Sequence, residues 1–284
     1  MKKLFTLLCL LPLMAGAQNL YISGRFGVAN YQGDLKAHSV SFKNMKLLGS
    51  LGARYDFTDH ITARSYFTLT SLQADDKDGT PYMQSRNLNF KTKIFDWELT
   101  GQYNLFSFNN EWWTPYVFAG IGLYHFRPYT EDANGAKVFL QPLSTEGQGF
   151  TPGIKDYKLW QLSLPLGLGA EYSLNEDMRV GIELGYRKLF NDQLDDVSGN
   201  YVDQTALFNA RGQTAVDLAY RGDEKSGDPY PLGGTSRGNP KSNDSYYYIA
   251  ATYTVRLVLD KYKDINGLPS GKKQKRSGCP ASRY

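Results

Sequence analysis

The sequence predicts an all-β chain: an eight-stranded antiparallel up-and-down transmembrane β-barrel with long extracellular loops and a basic periplasmic C-terminal tail. Three observations predict it. Eight segments alternate apolar and polar residues with period two, as strands with one apolar face do. The connections between them alternate long and short. Mean hydropathy is −0.46 and no apolar run reaches 18 residues, which excludes a helical membrane protein but not a barrel, whose apolar face is hidden in every second position. The 284 residues include 28 Gly and 21 Tyr but only 3 His and 2 Cys. That composition excludes a disulfide scaffold and a Cys/His zinc module, and 14% aromatic residues argue against disorder.

In chain order, residues 1–17 read as a signal peptide. Lys2 and Lys3 precede an apolar stretch over 4–14, interrupted by Pro12, and Ala15-Gly16-Ala17 forms a small-residue cleavage site. The stretch is too short to span a membrane. Cys9 leaves with this segment, so Cys279 is the single cysteine expected in the mature chain.

The barrel is expected over 18–259. Its first strand sets Ile22, Phe26 and Val28 against Ser23 and Arg25. The second sets Leu47, Leu51, Ala53, Tyr55 and Phe57 against Ser50, Gly52, Arg54 and Asp56. The third sets Ile61, Ala63, Phe67 and Leu69 against Arg64, Tyr66, Thr68 and Thr70; the fourth sets Phe95, Trp97, Leu99, Tyr103 and Leu105 against Asp96, Glu98, Thr100, Gln102 and Asn104. The fifth, 116–126, is apolar on both faces and its register is not assigned by pattern. The sixth, 160–174, has a fully apolar even face and an odd face of polar or tiny residues, Glu171 among them. Val180, Ile182, Leu184 and Tyr186 oppose Gly181, Glu183, Gly185 and Arg187, and the eighth strand sets Tyr247, Ile249, Ala251, Tyr253, Val255 and Leu257 against Tyr248, Thr252, Thr254 and Arg256.

The polar faces together carry Arg25, Arg54, Arg64, Arg187 and Arg256 with Asp96, Glu98, Glu171 and Glu183. A soluble sandwich or lipocalin-like barrel also alternates, but a lipocalin turns its apolar face inward around a ligand. Turning this polar face to lipid would cost roughly 2–4 kcal/mol per basic residue near the midplane, against a typical net stability of about 5–15 kcal/mol. The apolar face therefore points outward, and the nine charged residues are expected to form a salt-bridge network in a filled lumen. Trp112, Trp113, Tyr103 and Tyr172 fall near short turns and Trp160, Tyr186 and Tyr247 near long loops, as two aromatic girdles would.

Long connections cover about 32–46, 74–88, 128–157 and 189–244, and short ones about 57–60, 106–114 and 175–177. With the long loops outside, an even strand count leaves both termini in the periplasm of an outer-membrane protein. No catalytic set emerges: His38, His60 and His125 are scattered, and no serine sits in a nucleophile elbow. The lumen carboxylates could be read as an acid–base pair, with a structural plug as the competing reading. Asp192, Asp195, Asp196 and Asp203 are a candidate for a hard cation such as calcium, although their spacing is not that of an EF-hand. No cofactor and no nucleic-acid partner is expected.

The tail, 260–284, has seven basic residues against Asp260 and Asp264, a net charge of +5, while residues 18–259 sum to −3. Lys272, Lys273, Lys275, Arg276 and Cys279 follow a Gly/Pro/Ser hinge and form a candidate docking segment. Such charge steers an acidic partner, and Cys279, lacking a mate in the mature chain, would form any disulfide between molecules.

Several segments resemble one family. They are Gln141-Pro142-Leu143-Ser144-Thr145-Glu146-Gly147-Gln148-Gly149; Tyr186-Arg187-Lys188-Leu189-Phe190, followed by Leu194-Asp195-Asp196-Val197-Ser198-Gly199-Asn200-Tyr201-Val202-Asp203; Thr114-Pro115-Tyr116-Val117-Phe118-Ala119-Gly120-Ile121-Gly122; and Gly278-Cys279-Pro280. Over nearly the whole mature chain these resemble the PorG family, outer-membrane barrels of the type IX secretion system of Bacteroidetes. The resemblance implies a non-enzymatic accessory of protein secretion and gliding motility. It would associate with a periplasmic ring of a PorK-like lipoprotein and a PorN-like partner, and would not itself be the translocation pore. A surface adhesin or ligand-binding barrel is the alternative, and a barrel-embedded enzyme a more distant one. Residues 217–243 look less constrained, and the resemblance implies nothing there.

Overall fold

The structure, a computed structural model, describes residues 20–36 and 43–257. The signal segment 1–17, His38, and the tail residues Lys272, Lys273, Lys275, Arg276 and Cys279 lie outside the described residues.

Alternation becomes wall because one face of each strand has apolar side chains to give to lipid and the other has polar ones to give to its neighbours. The strands are β1 (Leu20–Gln32), β2 (Lys46–Asp56), β3 (Ile61–Asp75), β4 (Asn89–Asn104) and β5 (Trp113–His125), then a short hairpin of β6 (Tyr129–Glu131) and β7 (Lys137–Phe139), then β8 (Trp160–Ser173), β9 (Met178–Leu189) and β10 (Ser245–Arg256). The eight long strands pair antiparallel with their sequence neighbours, and β1 pairs with β10 to close the barrel. They run 11 to 16 residues, enough for the about 9–11 tilted residues a membrane strand needs. β3 and β4 continue as a two-stranded arm down to Asp75↔Asn89, and Tyr129 of β6 pairs with Lys91 on the arm.

The outward face is apolar: Phe26 and Leu47 are each 67% exposed and Ile121 65%. Trp112, Trp113, Tyr103 and Tyr172 are exposed beside the short turns, and Trp160 is exposed at the opposite end. β5, unreadable by pattern, turns its even positions inward, so Thr114, Tyr116, Phe118 and Tyr124 are buried while Val117 and Ile121 face out.

The glycine and tyrosine excess has a steric origin. Tyr248 lies directly across from Gly185 and Tyr66 across from Gly52. A Cβ on Gly185 would sit 2.1 Å from the Tyr248 ring, and one on Gly52 2.5 Å from the Tyr66 ring. Tyr116 on Gly169 and Phe118 on Gly167 repeat the pairing. Each inward ring lies flat over a neighbouring strand that offers it no side chain, which fills a narrow lumen without overpacking.

Three tight connections gather at one end. In the turn after β2, Thr58 Oγ1 accepts from the Ile61 N–H at 3.0 Å; in the turn after β8, Asn175 Oδ1 accepts from Met178 N–H at 2.8 Å. The four long connections gather at the other end and fold into a cap. It contains α1 (Pro81–Arg86), α2 (Gln204–Arg211), α3 (Gln213–Ala219) and α4 (Asp223–Ser226). Thr80 caps α1 and Asn87 ends it in the left-handed region. Asp203 caps α2. Leu35, Leu88, Leu140, Leu194, Val197 and Leu218 from these connections pack on Tyr31, Phe90, Phe126 and Leu189 at the strand ends, in one buried cluster. A second cluster, Leu207, Ala215, Val216 and Ala219, lies within the cap.

Candidate functional site

Two buried polar networks occupy the interior, one inside the wall and one under the cap. In the lumen, Glu183 on β9 is the hub. Its Oε1 accepts from Arg25 Nη1 at 2.9 Å and from Tyr248 Oη at 2.5 Å. Its Oε2 accepts from Arg64 Nη1 and Tyr116 Oη, both at 2.8 Å. Arg25 also pairs with Glu98 at 3.0 Å. Arg187 donates through Nε to Asp96 at 2.9 Å and through Nη2 to Glu98. Arg54 forks onto Glu171, with Nη2 to Oε2 at 3.0 Å. The Arg25 guanidinium also lies 3.8 Å from the Tyr66 ring centre, where the ring face attracts a cation. These eight charged side chains are essentially without solvent contact. Strand spacing explains the pairing: on a barrel of eight strands, inward positions of facing walls lie within one arginine's reach.

Arg256 stands apart from this set. It is half-buried at the short-turn end, where it donates to Tyr21 Oη at 2.9 Å and lies 3.6 Å from Asp177. It is the last residue of β10, so its alternation places it inward in phase but beyond the sealed lumen. Arg179, one residue from a strand start and not singled out by the sequence, is buried there instead. It pairs with Asp56 at 3.0 Å and donates to Tyr21 Oη at 2.9 Å. The inward phase of Glu183 and Arg187, carried back to Arg179, is the signal that could have found it.

The cap is assembled on Arg237 and Arg86. Arg237 donates to Glu146 Oε1 at 3.0 Å, to the Ala219 carbonyl at 3.1 Å and to the Asp196 carbonyl. Glu146 in turn accepts from Ser198 N–H at 2.8 Å and Gly199 N–H at 3.0 Å. Arg86 grips Asp76 with two bonds of 2.8 Å and reaches the carbonyls of Arg237 and Asp34. Segment 217–243, unconstrained by sequence pattern, thus supplies the hub of the cap.

Asp192, Asp195, Asp196 and Asp203 do not converge on a cation. Asp203 accepts from Ala206 N–H at the start of α2. Asp196 accepts from Thr145 Oγ1 at 2.6 Å and Tyr157 Oη at 2.7 Å. Asp195 accepts from Tyr31 Oη at 2.5 Å and from Val197 N–H at 2.9 Å. The loop's local turns aim these carboxylates in different directions, and among the described residues no group of three His, Cys, Asp or Glu side chains is arranged to hold a metal ion. Burial instead raises the affinity of Asp192, Asp195 and Asp196 for protons. It pushes Asp192 up to about 7 and Asp196 up to about 6, and holds Asp195 and Asp244 well above the usual carboxylate range.

A sequence profile of the outer membrane protein beta-barrel domain matches residues 4–211. No curated protein matches the chain. Among solved structures, Neisserial surface protein A is 11% identical, with 84% of this chain and 97% of that chain covered and a TM-score of 0.41. OprG of Pseudomonas aeruginosa is 14% identical, with 84% and 92% covered and a TM-score of 0.41. Ail of Yersinia pestis, solved with the heparin analogue sucrose octasulfate, is 11% identical, with 83% and 97% covered and a TM-score of 0.38.

Proposed function

The chain belongs to the outer-membrane β-barrel domain family, and from that premise we propose that it is a non-conducting, non-enzymatic outer-membrane component of the type IX protein secretion machinery. In this reading the long loops face outward and both termini are periplasmic. The tail, 260–284, docks a periplasmic ring of a PorK-like lipoprotein and a PorN-like protein, with Cys279 available for an intermolecular disulfide.

The observation that carries the reading is the convergence of the two signature segments. Thr145 and Glu146 of the first bond Asp196, Ser198 and Gly199 of the second. The loop portions of these two segments therefore build one element, the cap, rather than a set of unrelated loops. Support for the non-conducting part comes from the lumen, where Arg25, Arg54, Arg64 and Arg187 bridge opposite walls. Each lumen carboxylate is engaged by an arginine, which supports a structural role for the set over an acid–base one.

The test is a chain ended at residue 259. It should fold and reach the outer membrane yet lose ring proteins on copurification and lose secretion. A truncated strain that secretes normally refutes the docking role, and an unchanged non-reducing gel with Cys279→Ser refutes the disulfide alone. The adhesin reading is favoured by Leu232, 84% exposed on the cap, and Phe208, 49% exposed. Deleting 217–243 would remove Arg237 and unmake the cap, so the discriminating variant is Phe208→Ser with Leu232→Ser: unchanged secretion with lost surface adhesion would favour the adhesin.

A further inference from the structure

The Tyr31 hydroxyl at the end of β1 sits between two buried carboxylates, 2.5 Å from Asp195 Oδ2 and 2.8 Å from Asp244 Oδ1. A phenol carries one proton. It can donate to one carboxylate only; the other contact needs a proton of its own, carried on the carboxyl. The remaining oxygens are already bonded: Asp195 Oδ1 accepts from Val197 N–H at 2.9 Å and Asp244 Oδ2 from Leu194 N–H at 2.8 Å. The bridge is therefore complete only when the pair holds one extra proton.

The surroundings offer little positive charge to replace that proton. Asp34 from the β1–β2 connection and Asp192 from the β9–β10 connection both add negative charge. Tyr124 of β5 faces Asp244, and Tyr157 of the β7–β8 connection faces Asp195. Arg86 of α1 is the facing cation, and it is already forked onto Asp76. Asp192 is 7% exposed; the Ser198 side chain is its donor, and burial beside Asp34 and Glu146 outweighs that contact. Such a carboxylate, buried among others of its own sign, favours its protonated form.

We propose that the Asp195–Tyr31–Asp244 bridge is a proton-held latch. It fastens the β9–β10 part of the cap to the barrel wall while it carries the extra proton, and it releases that part when the proton is lost. The inference is independent of the secretion reading. Opening returns the carboxyls to water, where they titrate near 4. The closed form binds more protons than the open one, so rising pH favours opening. The window runs from about 4 up through the raised values of this cluster, Asp192 at about 7 among them.

The test is hydrogen exchange on the full-length protein refolded in detergent, with rates corrected for intrinsic pH dependence. Protection of the Leu194 and Val197 amides should fall about tenfold or more from pH 5 to pH 8, while amides of β4 and β9 stay protected. Asp195→Asn, neutral at every pH, should remove most of the fall and leave only the part that Asp192 contributes; Asp244→Asn serves if the first variant does not fold, judged by heat-modifiable gel migration. Equal protection at both pH values in the unmodified protein overturns the latch. So does a folded Asn variant that keeps the full fall. Recovery of protection at pH 8 on adding calcium alone, reversed by a chelator, would overturn it by assigning a metal ion in place of the proton.

Discussion

The lumen and the cap are both buried, polar and built around arginine, yet they balance charge in opposite ways. In the lumen, Arg25, Arg54, Arg64 and Arg187 meet Asp96, Glu98, Glu171 and Glu183, cation for anion. Under the cap, Arg86 and Arg237 face Asp34, Asp76, Glu146, Asp192, Asp195, Asp196 and Asp244. Strands hold side chains at fixed intervals, so a charge on one wall can be met by a charge on another. Loops instead turn their backbone N–H groups inward, and the cap's carboxylates are satisfied by those amides and by hydroxyls and protons. The difference leaves the lumen charges paired one to one and makes the cap sensitive to pH.

The comparison breaks most decisively at Glu183. Glu183→Ala leaves Arg25 and Arg64 buried beside a lost partner and should cost about 3–5 kcal/mol, read as a lowered denaturant midpoint of the whole barrel. Arg237→Met should cost a comparable or slightly smaller amount, about 3 kcal/mol, but locally. The cap should lose exchange protection while the barrel midpoint holds, because the two networks meet at strand ends rather than within the wall. If both transitions move together, lumen and cap are one cooperative unit and the contrast fails. Gly185→Ala, which pushes a methyl into the Tyr248 ring, should cost about 1–3 kcal/mol of barrel stability with no change in cap protection.

A smaller effect sharpens the electrostatic side. Asp192 titrates near its ordinary value when the cap is open and at about 7 when it is closed, so its ionisation disfavours closure as pH rises through that interval. Asp192→Asn should therefore raise cap protection at pH 8 and leave it unchanged at pH 4. The smallest effect is expected at Arg256, whose long, half-exposed contact to Asp177 makes Arg256→Ala worth no more than about 1 kcal/mol.

The wall was legible because membrane and lumen impose opposite demands on alternate residues: Leu51 and Arg54, or Leu184 and Glu183, declare their faces by chemistry alone. β5 was not legible, because its inward residues Tyr116, Phe118 and Tyr124 are as apolar in pattern as Val117 and Ile121. The inward seating of Tyr116 and Phe118 is accommodated by Gly169 and Gly167 on the next strand, a long-range fact. The cap was illegible for a related reason. Glu146, Asp196 and Arg237 carry no period, and their meeting depends on two connections folding onto one another. Aspartates close in sequence suggested a shared ligand, whereas the backbone, with Asp196 in the left-handed region, sends neighbours to different partners.

The closing seam carries a consequence for how the molecule comes to exist. β1 pairs with β10 from Tyr21↔Arg256 to Gln32↔Ser245, so the wall is sealed by contacts spanning 213 to 235 residues. Such contacts are the slowest kind to find. No strand order lets the cylinder close before β10 has been delivered, and until then the face bearing Phe26, Leu47 and Ile121 has neither lipid nor protein to cover it. Two unpaired edges would stand open on either side of the gap, each a template for a second chain. Assembly is thus timed by the arrival of the final strand, and the interval before sealing is the period in which the polypeptide must be escorted or be lost to aggregation.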